Sequence, residues 1–229
     1  MTTRRVSAVV PAYNEALTLP ETLAALRRAG CVDEVIVVDD GSVDGTADAA
    51  RPYADRVIVH GENRGKGAAL ETGWRAARGD ILLFLDGDLG DTAAYAPALL
   101  EPVERDVADV VVAVLPPARR KGGFGLVKGL ARFGIAHLTG YALQAPLSGQ
   151  RAVRRVVLES LPPLSGGFGV EVGFAVDVLR AGFRLYEVQV PFRHRETGRD
   201  VRSFVHRGRQ FVDIALTLNR KRREGRRAT

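Results

Sequence analysis

The chain has 229 residues, 46% of them hydrophobic and 26% charged, a composition typical of one globular domain that excludes a disordered or fibrous chain. Its single cysteine, Cys31, excludes an intramolecular disulfide framework, and no stretch of about 18 residues is apolar enough to span a bilayer. The formal net charge of +6 is uneven, because residues 116–155 contain eight Lys or Arg and no acid, and residues 193–229 contain twelve against four acids. These two segments indicate an anionic partner such as a phosphate, a lipid surface or nucleic acid.

Short β-branched runs alternate with segments of helical periodicity along the first 85 residues. Strands are predicted over residues 5–12, 33–40, 56–60 and 80–85, and helices over residues 17–30, 44–54 and 65–79. Strands separated by helices of this length pair in parallel through right-handed crossovers. The sequence therefore predicts an α/β fold, a mostly parallel sheet flanked by helices, in a single domain.

Polar residues follow each of the four predicted strands. They are Tyr13, Asn14 and Glu15 after the first strand, Asp39 and Asp40 after the second, residues 63–66 after the third, and Asp86 and Asp88 after the fourth. Ligands of such sheets bind beyond the carboxyl ends of the strands. One such cluster is explained by helix capping or turn chemistry, whereas four clusters at one edge favour a binding site.

The segment "ILLFLDGDLGD", residues 81–91, ends an apolar run on two aspartates, Asp86 and Asp88. A buried carboxylate without a partner is costly. The candidate partners are backbone amides at a turn, a basic side chain, or a metal ion that both carboxylates reach.

An ordered set of motifs resembles one known family. The motifs are "VVPAYNE", "VIVVDDGSVDGT", "NRGKGAAL", "LDGDL", "SGQRAVRR", "GFGVEVGFAVDVLRAGFRLYEVQVPF" and "RHRETGRD", which together run from Val9 to Asp200. They resemble the family-2 glycosyltransferases of the GT-A fold, and within them the polyprenyl-phosphate sugar transferases of the dolichyl-phosphate mannose synthase type. The chain departs from that pattern at Gly90, where a third polar metal ligand is expected, and at "RETGRD", which replaces Arg-x-x-Gly-x-Ser-Lys.

The resemblance implies a metal-dependent transfer from a nucleotide diphosphate sugar. Asp86 and Asp88 would bind Mg²⁺ or Mn²⁺, since hard divalent cations prefer oxygen ligands, and Gly87 lets the backbone approach closely. His194 would complete the metal site in place of Gly90, or would be a solvent-facing histidine among arginines. The donor residues it implies are Pro11, Ala12, Tyr13, Glu15, Asp40, Arg64, Lys66, Asp86, Gly87, Gln150 and Arg151. Asp40 would accept a hydrogen bond from the base, and Arg64 and Lys66 would contact the diphosphate unless their turn is an ordinary exposed loop.

Asp88, Glu171 and Arg195 are the predicted catalytic residues. Glu171 stands in an otherwise apolar stretch, where the resemblance implies an acid on the acceptor side. It would act as a general base toward a hydroxyl acceptor, whereas a phosphate acceptor is already an anion and needs no base.

Two segments of the second half have amphipathic periodicity. A helix from Leu126 is expected to place Leu126, Val127, Leu130, Phe133, Leu138 and Tyr141 on one side, with Lys128, Arg132 and Thr139 on the other. In residues 201–219 the predicted apolar face is Val201, Phe204, Val205, Phe211, Val212, Ala215 and Leu218. Such a helix lies in a lipid headgroup layer, forms a lid over the acceptor site, or packs on the sheet. The following "NRKRREGRR" suits an anionic membrane leaflet.

The sequence thus predicts a GT-A domain over residues 1–200, with a nucleotide-sugar half (1–115), an acceptor half (116–200), and a basic amphipathic helix and tail (201–229). The expected acceptor is a polyprenyl phosphate, and a small soluble phosphorylated acceptor such as a phosphoglycerate is the enzymatic alternative. A non-catalytic protein that binds nucleotide or nucleic acid would explain the basic segments but not the motif set, so no nucleic acid is expected. Because no signal peptide is evident, we expect a cytoplasmic protein that binds peripherally to an anionic membrane surface. The oligomeric state is not predicted.

Overall fold

A computed structural model of the chain describes residues 4–116, 125–164, 167–194 and 201–227, with the backbone alone for residues 168, 201–207, 209 and 226–227. The strands are β1 (Val6–Ala12), β2 (Glu34–Asp39), β3 (Arg56–Val59), β4 (Ile81–Phe84), β5 (Val110–Val114), β6 (Arg151–Arg154) and β7 (Leu185–Gln189). The helices are α1 (Leu19–Ala29), α2 (Thr46–Ala50), α3 (Lys66–Ala76), α4 (Pro97–Glu104), α5 (Gly125–Thr139), α6 (Arg155–Ser160), α7 (Val170–Arg180) and α8 (Val201–Arg227). Residues Gly90–Tyr95 and Gly167–Gly169 form short 3-10 helices.

The strands form one seven-stranded sheet in the order β3-β2-β1-β4-β6-β5-β7. Strands β1 to β4 pair in parallel with one another, and β5 pairs in parallel with β7. Strand β6 runs antiparallel to both of its neighbours, β4 and β5. All four strands and three helices predicted for the first 85 residues are present, and so the predicted α/β architecture is confirmed. The second helix is shorter than the predicted range of residues 44–54, because only Thr46–Ala50 is helical.

The sheet carries apolar layers on both faces. On one face Val10 and Leu83 pack with Leu23 of α1, and on the other Val9 and Phe84 pack with residues of α3 and α7. Gly73 of α3 is required there, since a Cβ at this position would collide with the side chain of Val9. Burial of alternate strand residues on opposite faces explains why β4 is apolar throughout and why β1 is apolar except at Ser7, whose hydroxyl bonds Glu34.

Helices α5, α7 and α8 form a third apolar cluster beside the sheet. The predicted apolar face of α5 is right at Val127, which is buried beside Ala131 and Ile135. It is wrong at Leu126 and Phe133, which are 81% and 73% exposed. The predicted Tyr141 is exposed as well, and Leu130 and Leu138 are half-buried. Helix α5 therefore packs on α7 and α8 through a face of small and β-branched residues.

The predicted apolar face of α8 is right at Leu218 and wrong at Phe211 and Val212. Its buried residues are Ile214, Thr217, Leu218 and Lys221, whereas Phe211 and Val212 are exposed. The side chains of Val201, Phe204 and Val205 lie outside the described residues. Lys221 is buried because its ammonium bonds Asp177 of α7 at 2.7 Å, so part of the basic tail anchors α8 to the domain. Along the described helices, none has both the length and the hydropathy needed to cross a membrane.

Candidate active site

The functional residues meet at the carboxyl edge of the sheet, because that edge receives the ends of the parallel strands and the start of the antiparallel strand. Asp40 follows β2 and Asp86 follows β4. Gln150 and Arg151 stand at the start of β6, which runs in the opposite direction, and therefore lie at the same edge. His194 arrives from the segment that follows β7.

The loop between Asp86 and Gly90 is fixed by one buried threonine of α1. The Thr22 hydroxyl donates to the carbonyl of Gly87 at 2.8 Å and accepts from the N–H of Gly90 at 2.8 Å. Gly90 has a φ of 52°, which favours glycine, and it contributes a backbone bond here where a third ligand was expected. Thr22 therefore sets the direction in which the two aspartates project.

Asp86, Asp88 and His194 form a cluster whose potential ligand atoms all lie within 4.8 Å of one another. His194 Nδ1 lies 2.8 Å from Asp88 Oδ1. Burial alone would lower the pKa of His194, but the hydrogen bond and charge of Asp88, with the charge of Asp86, outweigh it and raise the pKa. Two carboxylates and one imidazole at this spacing suit Mg²⁺ or Mn²⁺.

Glu15 places a third carboxylate beside this cluster. Its surroundings show whether a divalent cation fits the site. Its carboxylate lies directly over Gly87, where a Cβ would collide with Glu15 Oε2, and that oxygen is buried without a hydrogen-bond partner among the described residues. Burial, then the charges of Asp88 and Asp86, raise the pKa of Glu15 to about 8. A set of oxygen donors that repel one another is stabilised by a divalent cation, so these residues fit the metal.

Lys66 connects the cluster of Asp86, Asp88 and His194 to Glu171. Its ammonium bonds Asp86 Oδ1 at 2.7 Å and Glu171 Oε1 at 3.2 Å. Burial would lower the pKa of Lys66, yet the charges of Asp86 and Glu171 raise it, so the ammonium is retained. Gly149 leaves room for this arrangement, because a Cβ there would lie 2.5 Å from Lys66 Nζ.

Arg151 is a buried cation beside the same cluster. It is 1% exposed, and its guanidinium carbon lies 4.5 Å from the centre of the Phe174 ring and 5.4 Å from that of Phe84. Burial lowers the pKa of Arg151, against the charges of Glu171 and Asp86. Its Nε and Nη2 have no hydrogen-bond partner among the described residues. Most buried polar groups in proteins are paired, so these unpaired donors mark Arg151 as an exception at this edge of the sheet.

Gln150 and Asp40 hold other parts of the same edge. Gln150 is buried and donates to Asp86 Oδ2 at 2.6 Å. Asp40 is buried after β2 and accepts from the backbone N–H groups of Arg64 at 3.0 Å and Gly65 at 2.7 Å. It also bonds His60 Nδ1 at 2.6 Å, a residue that the sequence reasoning missed although it ends the predicted third strand.

A cavity of about 660 Å³ opens beside Lys66 and Glu171. Its other walls come from β5, the loop before β6, α5, α7 and α8, and include Val114, Leu147, Val170, Ile214 and Lys128. A smaller cavity of about 410 Å³ lies on the other side of Asp88 and His194, against α1. The large cavity is mainly apolar and has cationic groups from two elements.

The remaining predicted donor residues lie at or near the edge. Pro11 and Ala12 are buried in β1, and Tyr13 is 49% exposed at its end. Arg64 is exposed, and its backbone rather than its side chain makes the contact with Asp40. Arg195 lies outside the described residues.

Comparison with known proteins relates the chain to one family of glycosyl transferases. The sequence pattern of glycosyl transferase family 2 matches residues 7–161. An undecaprenyl-phosphate mannosyltransferase of Micrococcus luteus is 32% identical over 244 residues and covers 98% of each chain. An undecaprenyl-phosphate 4-deoxy-4-formamido-L-arabinose transferase of Pseudomonas paraeruginosa is 29% identical over 83% of this chain, which spans only 58% of that relative's length.

A solved structure is similar over nearly the whole fold. Glucosyl-3-phosphoglycerate synthase of Mycobacterium tuberculosis, in complex with Mn²⁺, UDP and glucosyl-3-phosphoglycerate, superposes with a TM-score of 0.80 at 30% identity. The match covers 95% of this chain and 80% of that one. The two kinds of relative therefore share a fold and differ in the acceptor that their names give.

Proposed function

This chain belongs to glycosyl transferase family 2, and from that premise we propose that it transfers a sugar from a nucleotide diphosphate sugar to a polyprenyl phosphate, with Mg²⁺ or Mn²⁺ as cofactor. The observation that carries the proposal is the cluster of Asp86, Asp88 and His194, joined through Lys66 to Glu171 and the large cavity. It combines a cation site with an adjoining apolar chamber. Residues 1–115 would serve the donor, residues 116–200 the acceptor, and residues 201–229 close the acceptor side.

Each charged group has an assigned role. Asp86 and Asp88 would hold the metal ion, with His194 and Glu15 beside them, and the bound ion would offset the charge that develops on the leaving diphosphate. Lys66 and Arg151 place two cations at the same edge, where they stabilise anionic donor and acceptor groups. Asp40 has one acceptor position free of the bonds described above and would receive a hydrogen bond from the base.

A lipid phosphate is the acceptor that the cavity favours. Its walls are mainly apolar, and Lys66 and Lys128 add two cations that suit a phosphate. The full-length similarity to an undecaprenyl-phosphate mannosyltransferase supports the same class. In this reaction the acceptor attacks as an anion, so Glu171 would orient Lys66 rather than remove a proton.

A phosphoglycerate is the second candidate acceptor, and the similarity to glucosyl-3-phosphoglycerate synthase favours it. Its hydroxyl must lose a proton as the glycosidic bond forms. Glu171 is the one carboxylate among the described residues that line the cavity, and it is therefore the group that would accept the proton.

A transfer assay tests the proposal and separates the two acceptors. Purified protein with Mn²⁺ is incubated with radiolabelled UDP- and GDP-sugars and either undecaprenyl phosphate or 3-phosphoglycerate. We expect label in the organic phase with the lipid acceptor, and a Glu171→Gln variant that loses at most about tenfold in rate. Label only in 3-phosphoglycerate, with a loss of about a hundredfold or more in the variant, would establish the second candidate. No transfer from any donor to either acceptor would contradict the proposal.

We also propose that the outward face of α5 binds an anionic membrane surface. Leu126 and Phe133 project from the exposed side of α5, and Lys128 and Arg132 are exposed on the other flank of the same helix, so the helix offers both apolar and cationic groups. Flotation with anionic vesicles should decrease in a Leu126→Ser, Phe133→Ser double variant. Equal flotation of variant and wild type would exclude this face. Point changes are the suitable test, because truncation before residue 220 would remove the buried Lys221.

A further inference from the structure

We infer that His60 is a positioning residue of the donor site: it orients the Asp40 carboxylate, which in turn holds the turn that carries Lys66. The inference rests on the proposed function, where Lys66 serves the diphosphate. His60 directly follows β3 and is 8% exposed. Its Nδ1 lies 2.6 Å from Asp40 Oδ1 and its Nε2 lies 3.0 Å from Thr72 Oγ1 of α3. One side chain therefore links the ends of two strands to the helix behind the site.

The direction of these bonds follows from their partners. An ionised carboxylate only accepts, so Nδ1 of His60 donates to Asp40. Asp40 then receives three donors, because the N–H groups of Arg64 and Gly65 also point at it. A buried carboxylate that loses one of its donors is destabilised and turns toward another partner. Without the imidazole, Asp40 would not keep the orientation that holds both amides.

The turn at residues 61–65 depends on these bonds because it has little other support. Residues 61–64 are all exposed, so burial of their side chains does not hold the turn in place. Gly41, with a φ of 78°, packs directly against it, and a Cβ there would lie 2.5 Å from the carbonyl carbon of Glu62. The turn is thus held by Asp40 and by close backbone packing on Gly41.

A change in the position of the turn affects Lys66 directly, because one peptide bond joins them. Gly65, whose N–H is bound to Asp40, immediately precedes Lys66. The Lys66 ammonium lies 2.7 Å from Asp86 and 3.2 Å from Glu171. A shift of the turn therefore moves Lys66, the cation that we assign to the diphosphate. Because Asn63, Gly65 and Lys66 also line the large cavity, the shift reaches the acceptor side as well, and donor affinity is the more direct measure of it.

Two substitutions test the hydrogen bonds of the two His60 ring nitrogens separately. In His60→Asn the amide nitrogen takes the place of Nδ1 and still donates to Asp40, whereas in His60→Gln it takes the place of Nε2 and reaches only Thr72. Calorimetry with UDP and GDP in the presence of Mn²⁺ measures donor affinity. We expect His60→Gln to weaken binding by about tenfold, the effect of one charge-assisted hydrogen bond, and His60→Asn to stay within about twofold of wild type.

Two further variants control for a general loss of packing. Thr72→Val removes the partner of Nε2 without touching Asp40 and should leave nucleotide affinity within about twofold of wild type. Gly41→Ala displaces the turn without touching His60 and should reproduce the weakening of His60→Gln. The discriminating result is the recovery of nucleotide affinity in His60→Asn, which restores only the donor to Asp40. A purely structural role for His60 would make His60→Asn as weak as His60→Gln, which would overturn the inference.

Amide hydrogen exchange of residues 61–66 tests the positioning step without any nucleotide. Exchange should be faster in His60→Gln and normal in His60→Asn, because only the first variant loses the donor to Asp40. Equal exchange in the two variants would overturn the inference, even if both still bind nucleotide. If the wild type binds neither UDP nor GDP, the proposed function fails, and the exchange result still decides whether His60 positions the turn.

Discussion

Two clusters of charged side chains lie at opposite ends of the sheet. At the amino ends of the strands, Asp109 accepts hydrogen bonds from Arg154 and from Arg184, and Asp106 accepts from Arg4 and again from Arg154. At the carboxyl ends, Glu15 Oε2 and two nitrogens of Arg151 are buried without partners among the described residues. The pKa of Asp109 is lowered, by the Arg184 hydrogen bonds first, whereas the pKa of Glu15 is raised to about 8, by burial first.

The difference separates a structural cluster from a functional one. Native proteins satisfy nearly all buried polar groups, and the exceptions concentrate where a ligand completes the set. The amino-end cluster is complete in the folded chain, so it stabilises the fold. In the carboxyl-end cluster the burial of Glu15 beside Asp88 and Asp86 carries a cost in stability, which a bound cation would offset.

The largest expected effect is the loss of activity on removal of one metal-site carboxylate. Asp88→Asn keeps the size of the side chain but halves the anionic charge of the pair formed with Asp86, so we expect donor turnover to fall by about a hundredfold or more. Circular dichroism should show an unchanged fold. Asp91→Asn, at the exposed Arg28 ion pair, is the matched control and should retain full activity. Mn²⁺-dependent turnover that survives in Asp88→Asn would exclude this site.

The second prediction is a gain in stability when the Glu15 carboxylate is removed. Because the pKa of folded Glu15 is about 8 and the ordinary value is 4.5, the folded state binds the proton more tightly, and this residue lowers stability as the pH rises between the two values. In EDTA at pH 7, Glu15→Gln should therefore raise the free energy of unfolding by roughly 1–3 kcal/mol.

The gain for Glu15→Gln should disappear near pH 4, where the wild-type carboxyl is protonated in both states. Chemical denaturation of both proteins at pH 4 and pH 7 measures it. A variant that is less stable than wild type at pH 7 would show that the Glu15 carboxylate is a structural group.

At the other end of the sheet the same kind of change should destabilise the protein. Asp109→Asn weakens charge-assisted hydrogen bonds to two arginines, and we expect a loss of about 2 kcal/mol with donor turnover unchanged. Because the folded pKa of Asp109 is depressed, its contribution is complete above the ordinary pKa of about 4 and is lost as the pH falls further. Denaturation from pH 7 to pH 2 should therefore show a difference between wild type and variant that narrows below about pH 4. A constant difference over that range would contradict the electrostatic origin.

The smallest effect is expected where an ion pair is exposed. Arg51 bonds Asp48 at 3.1 Å with both side chains largely in solvent, and Arg51→Ala should change stability by no more than about 0.5 kcal/mol. Thermal denaturation checks it. A loss as large as that of Asp109→Asn would mean that the number of ion pairs, rather than their burial and bonding, determines stability.

The sequence was sufficient for the features that local patterns determine. The first four strands, their parallel order and the convergence of Asp40, Asp86 and Glu15 follow from periodicity and strand ends. The buried faces of α5 and α8 were found only in part this way, at Val127 and Leu218. They cover each other, and Gly134 accommodates Leu218, a residue far away in the chain, so neither face is defined by its own periodicity.

Site residues that act through partners were missed for a similar reason. The role of His60 depends on its contact with Asp40, 20 positions away, and that of Thr22 on its contact with Gly87, 65 positions away. A single histidine at a strand end and a threonine inside a helix have ordinary structural explanations. Their roles appear only when the sheet brings the distant partners into contact.

The central claim is that the carboxyl-end cluster is completed by a divalent cation and a nucleotide diphosphate. Thermal denaturation of the wild type and of Asp86→Asn, each with EDTA, with Mn²⁺ alone, and with Mn²⁺ plus UDP or GDP, tests it most directly. We expect the wild-type Tm to rise with Mn²⁺ and to rise further with the cognate nucleotide, and the variant to show neither increase. A wild-type Tm that is indifferent to both additions, or an equal increase in Asp86→Asn, would contradict the account.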